Sequence, residues 1–254
     1  MSEININELG LQRFSNFCKK IKELLVDRKI NFDLIVASGN SGLAMGKYAA
    51  IIYKELGKEF PQQLSIPFYR FPPGHRDELD KKFDSSFFLP EVQKQIENIN
   101  INSVLFVDDE IGLGITALSI LNLLNEALRL QCKDPIRAYY IVAEDQGFKV
   151  PEDRKEIQFF PYDKETDGYN NVIFFVTPSE LEKPIIEVFG DDDKFPFHQR
   201  CNLLLNLPIK DFNNGKPIWT NKYLETAKEK ISSFSDLQKR YLEYTASLVQ
   251  KYIK

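Results

Sequence analysis

Histidine, cysteine and tryptophan are scarce in this chain of 254 residues, which holds two His, three Cys and one Trp. Cys18, Cys132 and Cys201 stand too far apart for a thiolate metal cluster and leave an odd thiol, which suits a reducing compartment better than a disulfide framework. With only His75 and His198 to add, a zinc site is not expected. Long apolar runs are also missing: none approaches the roughly 18 to 20 residues that span a bilayer. The opening MSEININELG has no basic and apolar regions of a secretory signal, so a cytoplasmic protein without membrane association is expected. Blocks of one charge sign are absent too. Lys and Arg, 33 in all, are interspersed with 37 Asp and Glu, and a net charge of -4 gives no bulk reason to bind nucleic acid.

What remains is a chain that is 43% hydrophobic and 28% charged, the composition of one large globular domain or of a domain with an appendage. Phe14, Phe17, Cys18, Ile21, Leu24 and Leu25 recur at helical spacing opposite Lys19, Lys20, Lys22 and Glu23, which predicts an amphipathic first helix. DLIVA predicts a strand, SGNSG a turn, and Leu43 to Leu56 a helix closed by Gly57. SIPFYRF predicts a second strand, followed by a mobile loop over PPGHRDELDKKFDSSFFLPE. SVLFV predicts the third strand, Thr116 to Leu130 the helix behind it, and RAYYIVAED the fourth strand, with EIQFF and NNVIFFVTP as later ones. Strands alternating with helices imply an α/β domain, a mostly parallel sheet flanked by helices.

This core is expected over residues 1–190, with residues 191–254 as an irregular and helical C-terminal extension serving as hood, cap or oligomer contact; a homodimer is one arrangement it allows. The tail predicts a closing helix with Ser235 and Gln238 as a capping box and Leu237, Tyr241, Tyr244, Leu248 and Tyr252 on one face.

Two stretches carry chemistry. Both LIVASGNSGLAMG and VLFVDDEIGLGIT set a glycine-containing polar turn between the carboxyl end of an apolar strand and the start of a helix. Backbone N–H groups and the helix dipole favour anions there, and glycine lets a phosphate approach the main chain. In parallel sheets these strand ends also line the ligand crevice. Asp108 and Asp109 would repel a phosphate set against them, so they are expected to serve a sugar diol as hydrogen-bond acceptors and to attract Mg2+, directly or through substrate and water.

VLFVDDEIGLGIT resembles the phosphoribosyl pyrophosphate signature of type I phosphoribosyltransferases, IVASGNSGLAMG resembles that family's pyrophosphate loop, and FYRFPPGHRDELDKKFDSS sits where its catalytic hood loop belongs. The likeness covers roughly residues 30 to 180. It implies a type I phosphoribosyltransferase-like fold and a pentosyltransferase of nucleotide metabolism. Its reaction is displacement of pyrophosphate from phosphoribosyl pyrophosphate by an unidentified nitrogenous base, with Mg2+. By the same resemblance Asp108 and Asp109 hold the ribose hydroxyls. Gly112, Leu113, Gly114, Ile115 and Thr116 wrap the 5-phosphate, and Ala37, Ser38, Gly39, Asn40 and Ser41 contact pyrophosphate. Arg70 faces pyrophosphate as a catalytic cation, with Lys81 and Lys82 as further candidates.

The phosphate loop departs from the family pattern, because Gly112 and Leu113 stand where Thr or Ser is usual and Ile115 replaces a small residue. Backbone donors and Thr116 are left to bind phosphate. That departure keeps open a non-catalytic regulator of the same fold that binds a nucleotide or sugar phosphate. VLFVDDE also resembles the acidic cluster of receiver domains, but Asp163 and Thr177 are poorly placed for that family's pattern. His198, Trp219 and the tyrosines of the last helix are expected as packing residues, His75 as a solvated loop histidine, and Glu144 and Asp145 as neighbours of the acceptor pocket.

Overall fold

The order of strands along the sheet, β2-β1-β3-β4, sets where a ligand can enter. The structure is a computed structural model that describes residues 6–68, 85–111, 115–131, 137–145 and 176–254. Helix α1 (Ile6–Lys22), extended by a π-turn over Glu23–Asp27, leads into β1 (Leu34–Ser38), α2 (Gly39–Glu55) and β2 (Gln62–Ile66). A short 3-10 turn, Ser85–Phe88, opens α3 (Leu89–Ile96), which precedes β3 (Ser103–Ile111), α4 (Ile115–Leu130) and β4 (Arg137–Asp145). All three strand pairings are parallel: Leu34 pairs with Gln62 and Val104, and Val104 with Ala138. The architecture is α/β, a parallel sheet with helices on both faces.

Side chains alternate across this sheet with the period of two that a strand imposes. Leu34, Val36, Val104, Phe106, Leu64 and Ile66 pack with residues of α3 and α4 on one face. Ile35, Ala37, Leu105 and Val107 pack with α1, α2, α6 (Phe197–Leu204) and α8 (Phe234–Ile253) on the other. Burial on both faces is why β1 and β3 read as continuous apolar runs. Among the described residues no helix is long and apolar enough to cross a membrane.

Several boundaries differ from expectation for local reasons. The second strand ends at Ile66 instead of running through SIPFYRF, because Pro67 has no N–H to continue a ladder; residues 69–71 lie outside the described part. SGNSG is the first turn of α2 as much as a loop, since the helix begins at Gly39, and Gly57 ends it with a φ of 65°. The end of the expected mobile loop, from Ser85 on, is helical. Of the later strands, EIQFF lies outside the described residues, and so does NNVIFFVTP up to Phe175.

The C-terminal extension is more regular than its composition suggested. After α5 (Ser179–Phe189) and α6 come an antiparallel hairpin, β5 (Ile209–Asn213) with β6 (Lys216–Thr220), then α7 (Lys222–Lys230) and α8. The hairpin turns on Asn214 and Gly215 at φ 51° and 75°, the two positive values that a type I′ turn requires. The capping box does not form. Ser233 is the N-cap of α8, and Gln238 donates instead to Leu203 O at 2.7 Å, tying α8 to α6. Leu237, Tyr241 and Leu248 are buried as expected. Tyr241 Oη lies 2.6 Å from Tyr48 Oη of α2 and 3.3 Å from Cys201 Sγ of α6, so a buried polar knot joins the extension to the sheet's helical layer.

Helices α5 and α6 meet around an ion cluster in which Arg200 and Glu182 are buried and Asp192 is exposed. Arg200 Nη1 donates to Phe195 O at 2.7 Å, Nη2 pairs with Asp192 at 3.0 Å, and Glu182 stays 3.7 Å from Nε, beyond hydrogen-bond reach. Burial pushes the Glu182 carboxyl up to about 7 against the pull of Arg200. A folded value above the unfolded 4.5 means that its stabilisation is complete below that pH and lost as pH rises through about 7. Glu182→Gln is therefore expected to flatten the fall of melting temperature between about pH 5 and 8. Thermal melts across that range test this, and an unchanged slope would assign the titration elsewhere.

Candidate functional site

The order of strand addition reverses between β1 and β3: the chain adds β2 on one side of β1 and then crosses to add β3, also parallel, on the other. Such a switch point leaves a crevice beyond the carboxyl ends of the two strands, where ligands of open α/β sheets bind. β1 ends at Ser38, and the pairing of Ala37 with Val107 brings Ser38 alongside Asp108. Four of the expected residues meet here. Ser38 Oγ donates to Asp108 Oδ2 at 3.2 Å, Ser41 Oγ donates to Oδ1 at 2.9 Å, and the Asp109 backbone N–H donates to the same oxygen at 3.0 Å.

Helix α2 approaches β3 closely enough to make these bonds because residue 42 is glycine. A Cβ there would lie 3.1 Å from Val107 O and 3.3 Å from Ala37 C, both backbone atoms. Gly39 takes a φ of 61°, the left-handed conformation that glycine adopts without steric cost, and so turns the chain from strand into helix. Every described peptide bond is trans.

The two aspartates have different surroundings. Asp108 is buried, and loss of water chiefly, with the neighbouring Asp109 charge second, raises its pKa well above the usual carboxylate value. Asp109 is half-buried, and on the period-two pattern it shares a face with Leu105 and Val107, the face that α2 and α6 cover. His198 of α6 lies within its electrostatic reach. Burial lowers the His198 pKa, while the Asp109 carboxylate draws it back up and Lys210 and Arg200 oppose that.

The extension reaches the same crevice through side chains that the sequence did not single out. Asn202 Nδ2 of α6 donates to Asn40 O at 3.0 Å, and the backbone N–H of Lys210 in β5 donates to Asn40 Oδ1 at 2.7 Å. Lys210 Nζ donates to Phe68 O at 2.9 Å, just beyond β2. Burial pulls this lysine down to about 8, against the attraction of Asp108. Asn202 is wholly buried, and its Oδ1 meets no hydrogen-bond partner. The one sequence signal for this hairpin was Asn214-Gly215 between two short strands. Trp219, expected only to pack, donates from Nε1 to Ser65 O at 3.2 Å and fastens β6 to β2.

The remaining expected residues fall as follows. Ala37 is buried at the end of β1, and Thr116 is half-buried in the first turn of α4, whose first residue is Ile115. Glu144 and Asp145 end β4 in register with Glu110 and Ile111 of β3, on the same edge of the sheet as the crevice. Arg70, His75, Lys81, Lys82, Gly112, Leu113, Gly114 and Asp163 lie outside the described residues.

A half-buried carboxylate backed by a second one suits Mg2+, which keeps waters and takes one or two carboxylates together with substrate oxygens. Among the described residues no group of three or more His, Cys, Asp or Glu is arranged to hold a metal alone. An ion at Asp109 and Asp108 would therefore share its ligands with a bound molecule. No protein-family model and no curated protein matches this chain.

Proposed function

We propose that the chain is a type I phosphoribosyltransferase-like domain that binds phosphoribosyl pyrophosphate at the β1–β3 switch point and transfers its phosphoribosyl group to a nitrogenous base. The observation that carries this reading is the junction of the Ser38–Ser41 turn with the Asp108-Asp109 pair in one crevice, linked by the serine-to-aspartate bonds. A ligand with a diol between two phosphate groups needs such a pairing: acceptors for the hydroxyls beside an N–H-rich turn for an anion.

In the reaction the bond from the anomeric carbon to pyrophosphate breaks as the bond to nitrogen forms, and pyrophosphate leaves with the electron pair. Asp109 holds the ribose hydroxyls and Asp108 fixes the turn that receives pyrophosphate. His198, kept toward its neutral form by burial, faces Asp109 as a group able to accept the proton released by the base. Asp109, with Asp108 behind it, would hold Mg2+ together with the substrate, and the ion would supply charge neutralisation for the leaving group.

A second reading, a regulator that binds the same ligand without turnover, is favoured by the engagement of Asp108. Its carboxyl is already bonded by Ser38, Ser41 and the Asp109 N–H, which leaves Asp109 as the half-exposed acceptor of the pair. Calorimetric titration of phosphoribosyl pyrophosphate with and without Mg2+, followed by pyrophosphate release assays with a panel of bases, separates the readings. Mg2+-dependent binding with release is the expected result, binding without release selects the regulator, and no Mg2+-dependent binding overturns both.

A further inference from the structure

We infer that Lys210, delivered by the β5–β6 hairpin, is a positioning cation for the pyrophosphate group at the β1–α2 turn; this rests on the reading of the crevice given above. Three contacts place it. The Lys210 backbone N–H donates to Asn40 Oδ1 at 2.7 Å, and Asn202 Nδ2 donates to Asn40 O at 3.0 Å, so the hairpin and α6 both hold the turn. The ammonium donates to Phe68 O at 2.9 Å and stands over Gly39, where an added Cβ would lie only 3.5 Å from Nζ.

The charge on Lys210 is kept in a place that discourages it. Burial drives its pKa down, Asp108 of β3 is the carboxyl that draws it back up, and His198 of α6 lies within its field. An anion bound against the turn would relieve that desolvation, and the first-turn N–H groups of α2 point the same way. A lysine is suited to the task as a compact point charge with three donors. Arg70 belongs to the segment that follows Phe68 directly in sequence, so the hairpin supplies a cation to this turn from a separate part of the chain.

The test titrates inorganic pyrophosphate with Mg2+, and separately ribose 5-phosphate, into the full chain and into Lys210→Met and Lys210→Arg. Loss of one charge-assisted contact predicts that Lys210→Met binds pyrophosphate at least about tenfold more weakly. Lys210→Arg is expected to retain most of the affinity, and ribose 5-phosphate to bind all three proteins alike. Wild-type pyrophosphate affinity in Lys210→Met overturns the role of Lys210 while leaving the proposed function standing. Equal loss of both ligands overturns it too, as the mark of a merely structural residue. A wild-type chain that binds neither probe nor phosphoribosyl pyrophosphate overturns the inference and the proposed function together.

Discussion

Asp109→Asn is expected to lower affinity for phosphoribosyl pyrophosphate at least about tenfold and up to about a hundredfold, since a hydrogen bond to a charged acceptor contributes roughly 1.5–3 kcal/mol and the amide keeps one of the two acceptor oxygens. Its melting temperature should stay near that of wild type, because this carboxylate is half-exposed at a strand end. Asp108 separates from it by opposite behaviour. Its folded pKa is raised, so its contribution to stability is complete below the unfolded value of 3.8 and is lost as pH rises through the folded one. Asp108→Asn removes the ionisation, keeps one acceptor oxygen for Ser41 and the Asp109 N–H, turns an amide N–H toward Ser38, whose hydroxyl can accept from it, and should flatten the dependence of stability on pH. Asp108→Ala instead strands the Ser38 and Ser41 hydroxyls and the Asp109 N–H, at a cost of about 1–3 kcal/mol. Calorimetry with thermal melts at several pH values reads all three variants. Wild-type affinity in Asp109→Asn, with binding lost in Asp108→Asn, would transfer the sugar contact to the buried residue.

This division of labour was only half legible in the sequence. VLFVDDE announced a strand ending in acids, and period-two alternation, applied past Val107, puts Asp108 and Asp109 on opposite faces. Which face is covered by what depends on the C-terminal extension, about a hundred residues further on. The strands β1 and β3 were readable because burial on both faces demands unbroken apolar runs. The hairpin was not, because IKDFN and KPIWT mix polar and apolar residues, and Pro217 argues against a strand unless that strand is an edge. Asn214-Gly215 carried the missing information, and with it the position of Lys210. His198 looked like a packing residue for a related reason: a lone histidine becomes part of a site only through what folds against it, here Asp109 from another layer. Pairings of that kind are set by tertiary contact and leave no local pattern.

Gly42→Val should cost about 2–3 kcal/mol, as overpacking of a close junction does, and lower the melting temperature by roughly 5–10 °C for a chain of this size. The Cβ alone would press on Val107 O at 3.1 Å and Ala37 C at 3.3 Å, and neither backbone atom can swing aside. Helix α2 must therefore lift away from β3, which lengthens the Ser41-to-Asp108 bond and opens the crevice at its floor. Ligand binding should fall with stability, unlike Asp109→Asn, in which binding falls alone. Gly46→Ala, one helical turn further along the same helix, is the control. Its Cβ would meet only the end of the Gln63 side chain, a flexible group that can rotate out of its 2.8 Å bond to Ser65. The gain in helix propensity, up to about 1 kcal/mol, offsets much of that loss. Equal destabilisation by the two variants, measured in urea, would mean that the approach of α2 to the strand ends is not what Gly42 protects; a large effect confined to Gly42 ties the fold of the switch point to its capacity to bind.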